Sequence, residues 1–577
     1  MKIVDIVSAL LPHGTDGRSF RKDADGIYHP SNINAELCPI WPPDIFAVIG
    51  TLIERSGCYT EAGPDRTNPK THNDYLNKIE KVANKWTSSA EFLFFPPTEL
   101  QDLWNYIVIQ NGHTEVSQVM DHPELVRSLL LLFAVADEVC AGMGWDGRKK
   151  NNLFTDLALA SFVTDASISE SVPLLPYRPN SLCALVPPEM VVVMPKTLTA
   201  TVGCTIRSLS HNLALLPPIT QCSPSWALTS EEQNEDEYKN IQLLVVPYPF
   251  FVPSNSFTVT DEPVHLKDGT FTAAYFGLKQ NWLKTNDGRE ITSHDIFENL
   301  INPLILEAKL ESKSQITGII MPECALSKEI ADSLAALIGQ TGVSFFTTGI
   351  LSTNPLNGKT RNSAKTYILH RNKSMFSLEQ FKHHRWRLDR RQCEQYGLDF
   401  HRLSRADKWW EDIDVSNRQL PFLALRQHMS MTVLICEDLA RNDPAMSVVR
   451  AVGPNLVIAL LMDGPQLAQR WPGKYATVLG EDPGSGVLSV TCAAMLDRSN
   501  NNYDGTTQRS VGLWRSDGSS GVEINLPQNY HGVLLNIHSC FVEQHTLDTR
   551  PDAFGSRKLS LHRQTPLRLA ATPQWLC

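Results

Sequence analysis

"MTVLICEDLAR", residues 431–441, decides how the rest of the chain is read. Met431 to Ile435 form an unbroken run of apolar or β-branched residues, the kind found in strands buried on both faces. The run leads directly into the thiol of Cys436 and the carboxylates of Glu437 and Asp438. In layered α/β folds, reactive side chains collect where rigid strands end and loops open. A thiol at such a place is either an inert core cysteine or a nucleophile. The choice depends on which other groups the chain brings to it.

Strand-like runs flank this stretch on both sides: "IQLLVVPYPFFV", "ITGIIMPE", "VSFFTTGIL" and "KTYILH" before it, "NLVIALLM", "GVLSVTCAAML", "SVGLWRS" and "GVLLNIHSC" after it. Helical segments "HDIFENLINPLILEAKLES" and "SKEIADSLAALIGQ" sit between the early ones, so this part reads as an α/β domain of mixed sheets covered by helices. "GIIMPE" ends on Glu323, and "SLEQFKHHRWRLD" carries Lys382. Carboxylate, ammonium and thiol are the groups that attack on an amide or nitrile carbon requires. The carboxylate takes the thiol proton, sulfur attacks, and the cation stabilises the charge that develops.

Pro322-Glu323 at a strand end, then Lys382, then Cys436, spaced 59 and 54 residues apart, resemble the pattern of the nitrilase superfamily, the carbon–nitrogen hydrolases. "NLVIALLMDGPQ" and "RWPGKYATVLGEDPGSGVLSVTCAAML" are similar to the family's strand, Arg-bearing helix and strand after the cysteine, so the resemblance covers residues 241–545. It implies an α/β, nitrilase-like four-layer α-β-β-α sandwich that assembles as a homo-oligomer, with a dimer the first expectation. By the same resemblance Glu323 is the general base, Lys382 stabilises the tetrahedral intermediate, and Cys436 is the nucleophile that becomes an acyl-enzyme. The backbone N–H of Glu437 would be an oxyanion donor. The implied substrate is a small linear amide or related carbon–nitrogen compound, with no cofactor and no metal. Many members carry a second glutamate near the Lys and Cys; Glu394 and Glu411 are both candidates, and spacing leaves the choice open. The segment from Lys382 to Cys436 is long for the family, and its "RADKWWEDID" reads as a lid or partner-binding insertion.

Residues 1–222 read as a mostly helical accessory domain, with apolar residues at three-to-four spacing in "DIFAVIGTLIERS", "NDYLNKIEKVANKW", "TELQDLWNYIVIQ" and "PELVRSLLLLFAVADEVCAG". It is the expected surface for a protein partner. Within it, Asp137, Glu138 and Cys140 interrupt an apolar helix, either as buried polar partners at a domain interface or on a half-exposed face, and His211 carries no signal. Residues 223–240 are polar and acidic and read as a linker, and 546–577 as a C-terminal tail.

Composition removes several classes. The 577 residues carry a formal charge of −10, which gives no general attraction to nucleic acid or anionic membranes. The basic run "KHHRWRLDRR", with Trp386, reads as a solvated helix face because Asp389 breaks it, so nucleic acid is not an expected partner. The twelve cysteines include no CxxC pair, His383 and His384 diverge as neighbours, and no metal site is expected; Cys324 reads as structural. "MKIVDIVSALLPHG" makes a poor signal peptide, and the longest apolar run is cut by Asp137 and Glu138 short of the roughly 18–20 residues a span needs. The expected location is cytoplasmic. A glutamine-dependent NAD synthetase is not expected without an ATP-pyrophosphatase-like glycine loop, nor an apolipoprotein acyltransferase without membrane spans. The alternative class is a nitrilase-like interaction or sensor module in a bacterial antiviral defence assembly; with no YxDD sequence here, any reverse transcriptase would be a separate chain.

Overall fold

The computed structural model describes residues 1–15, 20–22, 28–30, 35, 37–64, 68–88, 96–145, 180–228, 240–267, 269, 272–285, 287–312, 314–369, 375–426, 428–501, 507–552 and 555–576. The chain is a mixed α/β protein dominated by two large sheets. One has eight strands, in the order Phe376–Phe381, Thr360–Ile368, Phe345–Thr353, Gly318–Ile320, Asn240–Val245, Gly532–Val542 and Ser556–Leu567, with Leu326–Ser327 pairing beside Phe345–Thr353. The other has seven: Val522–Asn525, Ser510–Arg515, Gly486–Val490, Leu456–Leu460, Met429–Ile435, Gln419–Arg426 and Ser223–Leu228. In each sheet the central strands are parallel, so their C-terminal ends open on the same edge.

All seven residues of Met429–Ile435 are buried, as a strand covered on both sheet faces demands, with the hydroxyls of Ser430 and Thr432 hydrogen-bonded. One face carries Met431, Val433 and Ile435 into a core shared with Leu243, Ile320, Val533 and Leu535 of the eight-stranded sheet, so the two sheets pack face to face. Helices Asn302–Ser312 and Lys328–Gly339 cover the far face of the eight-stranded sheet through Leu304, Leu334 and Ile338. Helices Ser447–Val452 and Trp471–Glu481 cover the far face of the other through Val448, Val449 and Leu479. The second of these outer cores continues without a break into Pro42–Ser56 and Pro123–Val139, where the rings of Phe46 and Phe133 stack at 4.4 Å. Among the described residues, no helix is long and apolar enough to cross a membrane.

Three segmental expectations need correction. The first residues of the expected linker, Ser223–Leu228, form a strand parallel to Gln419–Arg426; the rest of it, 229–239, lies outside the described residues. The expected tail supplies Ser556–Leu567, paired along its length with Gly532–Val542. The N-terminal segment, read as mostly helical, also holds a strand pair, Val192–Pro195 antiparallel with Leu213–Leu216; 146–179 lies outside the described residues. "RADKWWEDID" contributes Lys408–Glu411 to a four-stranded sheet with Arg387–Asp389, Ala274–Leu278 and Phe257–Asp261, so that stretch is a built element whose inner face reaches the core. The basic run is likewise no single helix face: it contains that short strand followed by the helix Arg390–Gln395.

Candidate active site

Three sequence-separated strand ends converge. Glu323 follows Gly318–Ile320, Lys382 follows Phe376–Phe381, and Cys436 follows Met429–Ile435. Lys382 Nζ donates to Glu323 Oε1 at 2.8 Å and to Glu411 Oε2 at 2.6 Å. Glu323, Lys382 and Cys436 are 2%, 0% and 3% exposed, so the cluster is taken out of water, where a charge persists only if it is paired. Glu323 does not cap the following helix: Ser327 Oγ does, accepting from the Ile330 N–H at 3.3 Å.

Of the two candidates for a second glutamate, Glu411 is in the cluster and Glu394 is exposed on Arg390–Gln395. The strand Lys408–Glu411 alternates exposed and buried, which turns Glu411 inward beside buried Trp409 and leaves Trp410 outside. Sequence reading missed Asn362, whose Nδ2 donates to Glu323 Oε1 at 2.8 Å and to Glu411 Oε1 at 2.9 Å. One ammonium and one amide thus bridge two carboxylates. Also missed was Asp438, fully buried, which accepts from the backbone N–H groups of His383 and His384 at 3.1 Å and contacts His384 Nδ1 at 3.0 Å. It ties the turn after Cys436 to the residues after Lys382. His383 Nε2 in turn contacts the Gln419 carbonyl. Among the described residues no group of three or more His, Cys, Asp or Glu side chains could hold a metal ion.

Electrostatics set the resting protonation. Burial, followed by the Glu323 charge, pushes the Cys436 thiol well above its ordinary range, and Lys382 only partly opposes them. Sulfur therefore rests as a thiol, and attack needs a base at the moment of reaction. Burial also raises Glu323, with Lys382 pulling down and Glu411 pushing up. For Lys382 burial works against the charge, but Glu323 and Glu411 outweigh it and hold the ammonium well above its usual value. The backbone adds strain: Cys436 (φ 48°) and Cys324 (φ 54°) are two of five described non-glycine residues with positive φ. The Glu437 side chain turns to Arg441 at 2.6 Å, within the single helical turn Cys436–Ala440.

Space around Glu323 is equally constrained. A Cβ at Gly349 would lie 2.4 Å from the Glu323 Cα and 2.4 Å from the Cys324 nitrogen, both backbone atoms that cannot swing away. Gly349→Ala is expected to lower stability by about 1–3 kcal/mol. It should also shift the Glu323 main chain. Denaturant midpoints read alongside Cys436 reactivity check this, since a purely global loss would leave the folded protein's reactivity unchanged.

No protein-family model matches the chain, and no curated protein sequence matches it. Among solved structures the chain is similar to a glutamine-dependent NAD+ synthetase from Acinetobacter baumannii, at 12% identity over 52% of this chain and 45% of that one, with a TM-score of 0.27. It is also similar to Nit3 of Saccharomyces cerevisiae, at 11% identity over 44% and 76% of the two chains, with a TM-score of 0.26. A third is XC1258 from Xanthomonas campestris, at 12% identity over 58% and 92%, with a TM-score of 0.24. Nit3 and XC1258 are nitrilase- and CN-hydrolase-superfamily proteins. The chain spans less than half the length of the synthetase.

Proposed function

We propose that the protein is a thiol-dependent hydrolase of a non-peptide carbon–nitrogen bond, with the two face-to-face sheets and their outer helices forming a nitrilase-like α-β-β-α sandwich. The observation that carries this reading is the buried Glu323–Lys382–Glu411 cluster, electrostatically coupled to a thiol at a strained strand end. As Sγ of Cys436 attacks the carbonyl carbon, Glu323 accepts its proton. The oxyanion that forms is stabilised by the Lys382 ammonium and the Glu437 N–H. Collapse breaks the C–N bond, Glu323 returns the proton to the departing amine, and a thioester remains. Glu323 then takes a proton from water, hydroxide adds to the thioester, and the acid leaves as Sγ is reprotonated. Glu411 and Asn362 hold Lys382 and Glu323 in register.

The test needs no substrate. The rate at which a small electrophile labels Cys436 is followed against pH by peptide mass spectrometry, in wild type and Glu323→Gln. Because burial raises Glu323, its base form is lost as pH falls through a value above the ordinary carboxylate figure of about 4.3, and labelling should fall with it. In Glu323→Gln that base is gone, so labelling should stay slow until the thiol itself ionises, at a pH that burial holds above the ordinary thiol range. Identical profiles in the two proteins would remove Glu323 from the mechanism.

A further inference from the structure

One buried acid near the thiol has no role in the steps above. Asp463 lies just beyond Leu456–Leu460, the parallel neighbour of the strand that ends on Cys436; Ile435 pairs with Leu460, so the two strand ends open side by side. It is 6% exposed. Its Oδ1 accepts from the Tyr396 hydroxyl at 2.5 Å and from Arg470 Nη2 at 3.2 Å. Its Oδ2 is equally buried and has no hydrogen-bond partner.

A carboxylate oxygen left unpaired out of water is costly unless something else supplies the donor. The surroundings do not shift to supply one, because each neighbour is held elsewhere. Arg470 Nη1 is committed to the Pro465 carbonyl at 2.6 Å, and the backbone of Tyr396 is fixed by Arg498, whose Nη1 donates to the Tyr396 carbonyl at 2.9 Å. Oδ1 is therefore fully used in orienting the group, while Oδ2 is left without a donor. The carboxylate is near enough to Cys436 for its charge to raise the thiol. Charges in the site also favour a cation: Glu323 and Glu411 share the single ammonium of Lys382, and Asp463 is paired with Arg470 through Oδ1 alone.

We infer that Asp463 is a specificity-determining residue whose free oxygen receives an N–H of a cationic group on the substrate, an ammonium, amidinium or guanidinium carried by the same molecule as the scissile carbon–nitrogen bond. This rests on the hydrolase reading, with Cys436 as the reacting atom. Aliphatic amides that also bear an amine are the class it selects, and their carboxylate analogues are the class it rejects.

Three alkylating probes of closely similar size separate the possibilities: 2-chloroacetamidine, cationic; 2-chloroacetamide, neutral; and chloroacetate, anionic. In each case Sγ forms a bond to the methylene carbon, chloride leaves, and the thiol proton passes to Glu323. Rates at Cys436 are divided by those at exposed Cys204 and Cys540 in the same sample, which cancels intrinsic reactivity. Wild type should prefer the amidine over the amide at least tenfold, with chloroacetate slowest. Asp463→Asn should bring the amidine-to-amide ratio close to one, a change of about 1.4 kcal/mol. Asp517→Asn, which removes an exposed carboxylate paired with Lys558, should leave the ratio unchanged. Selective labelling of Cys436 with a normalised wild-type ratio within twofold of one overturns the inference while the hydrolase reading stands. A preference that survives Asp463→Asn, or that disappears in Asp517→Asn, overturns it as well. If Asp463→Asn does not fold, Asp463→Ser takes its place, and the wild-type ratio is decisive without either. If none of the probes labels Cys436 faster than buried Cys324, the hydrolase reading fails and the substrate inference falls with it.

Discussion

Cys436→Ala loses turnover of any amide the wild type hydrolyses by on the order of 10⁴-fold or more, and accumulates no acyl-enzyme. The size follows from what is removed. Glu323, Lys382, Glu411 and Asn362 remain in place, since none of their hydrogen bonds involves the thiol. Alanine therefore leaves an assembled base and cation with nothing to activate. The stability cost is small, about 1 kcal/mol, because a single buried sulfur is lost and the strained φ is the same for either residue. The contrast between a large kinetic and a small thermodynamic effect is the useful part. Retained hydrolysis in a folded Cys436→Ala would place the chemistry elsewhere. A folded variant that loses nothing measurable because the wild type hydrolyses nothing would favour an interaction role for the domain.

How much of this was legible in the sequence differs from residue to residue, for physical reasons. Cys436 could be placed at a strand end because Met431 to Ile435, apolar or β-branched throughout, leave a strand signature, and all of them are buried. Glu411 could have been chosen over Glu394 by strand periodicity: in "KWWE" an inward Trp409 requires an inward Glu411 two residues on. Asn362 left no signal, since a lone Asn in "TRNSAKTYI" reads as a polar strand position; its role comes from Glu323 and Glu411, 39 and 49 residues away. The edges of the sheets were hidden for another reason. Ser223–Leu228 carries Pro224, and Ser556–Leu567 is laced with Arg, Lys and His, because edge strands need no apolar run on both faces and gain from charges that discourage further pairing. That is why one was read as a linker and the other as a tail. Asp137 is wholly buried rather than on the half-exposed face that acids in an apolar helix ordinarily imply; its cation lies 413 residues away and no local pattern could name it.

Arg550→Met is expected to be the most destabilising single change in the N-terminal half's attachment, at about 3–5 kcal/mol. Arg550 is 4% exposed and lies in the segment that reads as tail. Its guanidinium reaches Asp137 at 3.2 Å, Glu138 at 3.3 Å and Asp548 at 3.2 Å, and also donates to the Leu209 carbonyl. Burial opposes its charge, but the three carboxylates outweigh that and raise its pKa further above an already high value. The flexible thioether of methionine restores much of the apolar contact of the stem, so the loss is electrostatic: Asp137, wholly buried, keeps only the backbone N–H groups of His211, Asn212 and Leu213, at 2.9–3.0 Å, and Asp548 keeps mainly Tyr75 at 3.0 Å. Two buried carboxylates would then share no cation. Since Asp137 sits on Pro123–Val139 and Arg550 follows the strand Gly532–Val542, the damage should be felt on both sides of the chain's midpoint at once. Hydrogen exchange should rise together in 123–139, 206–216 and 546–552, with an earlier first unfolding transition. Arg550→Met/Asp137→Asn should recover part of the loss, because neutralising the stranded acid removes the larger share of its burial cost. If exchange rises only in 546–552 and the transition moves by less than about 1 kcal/mol, the network is a surface clasp and the N-terminal helices are held by their apolar faces alone.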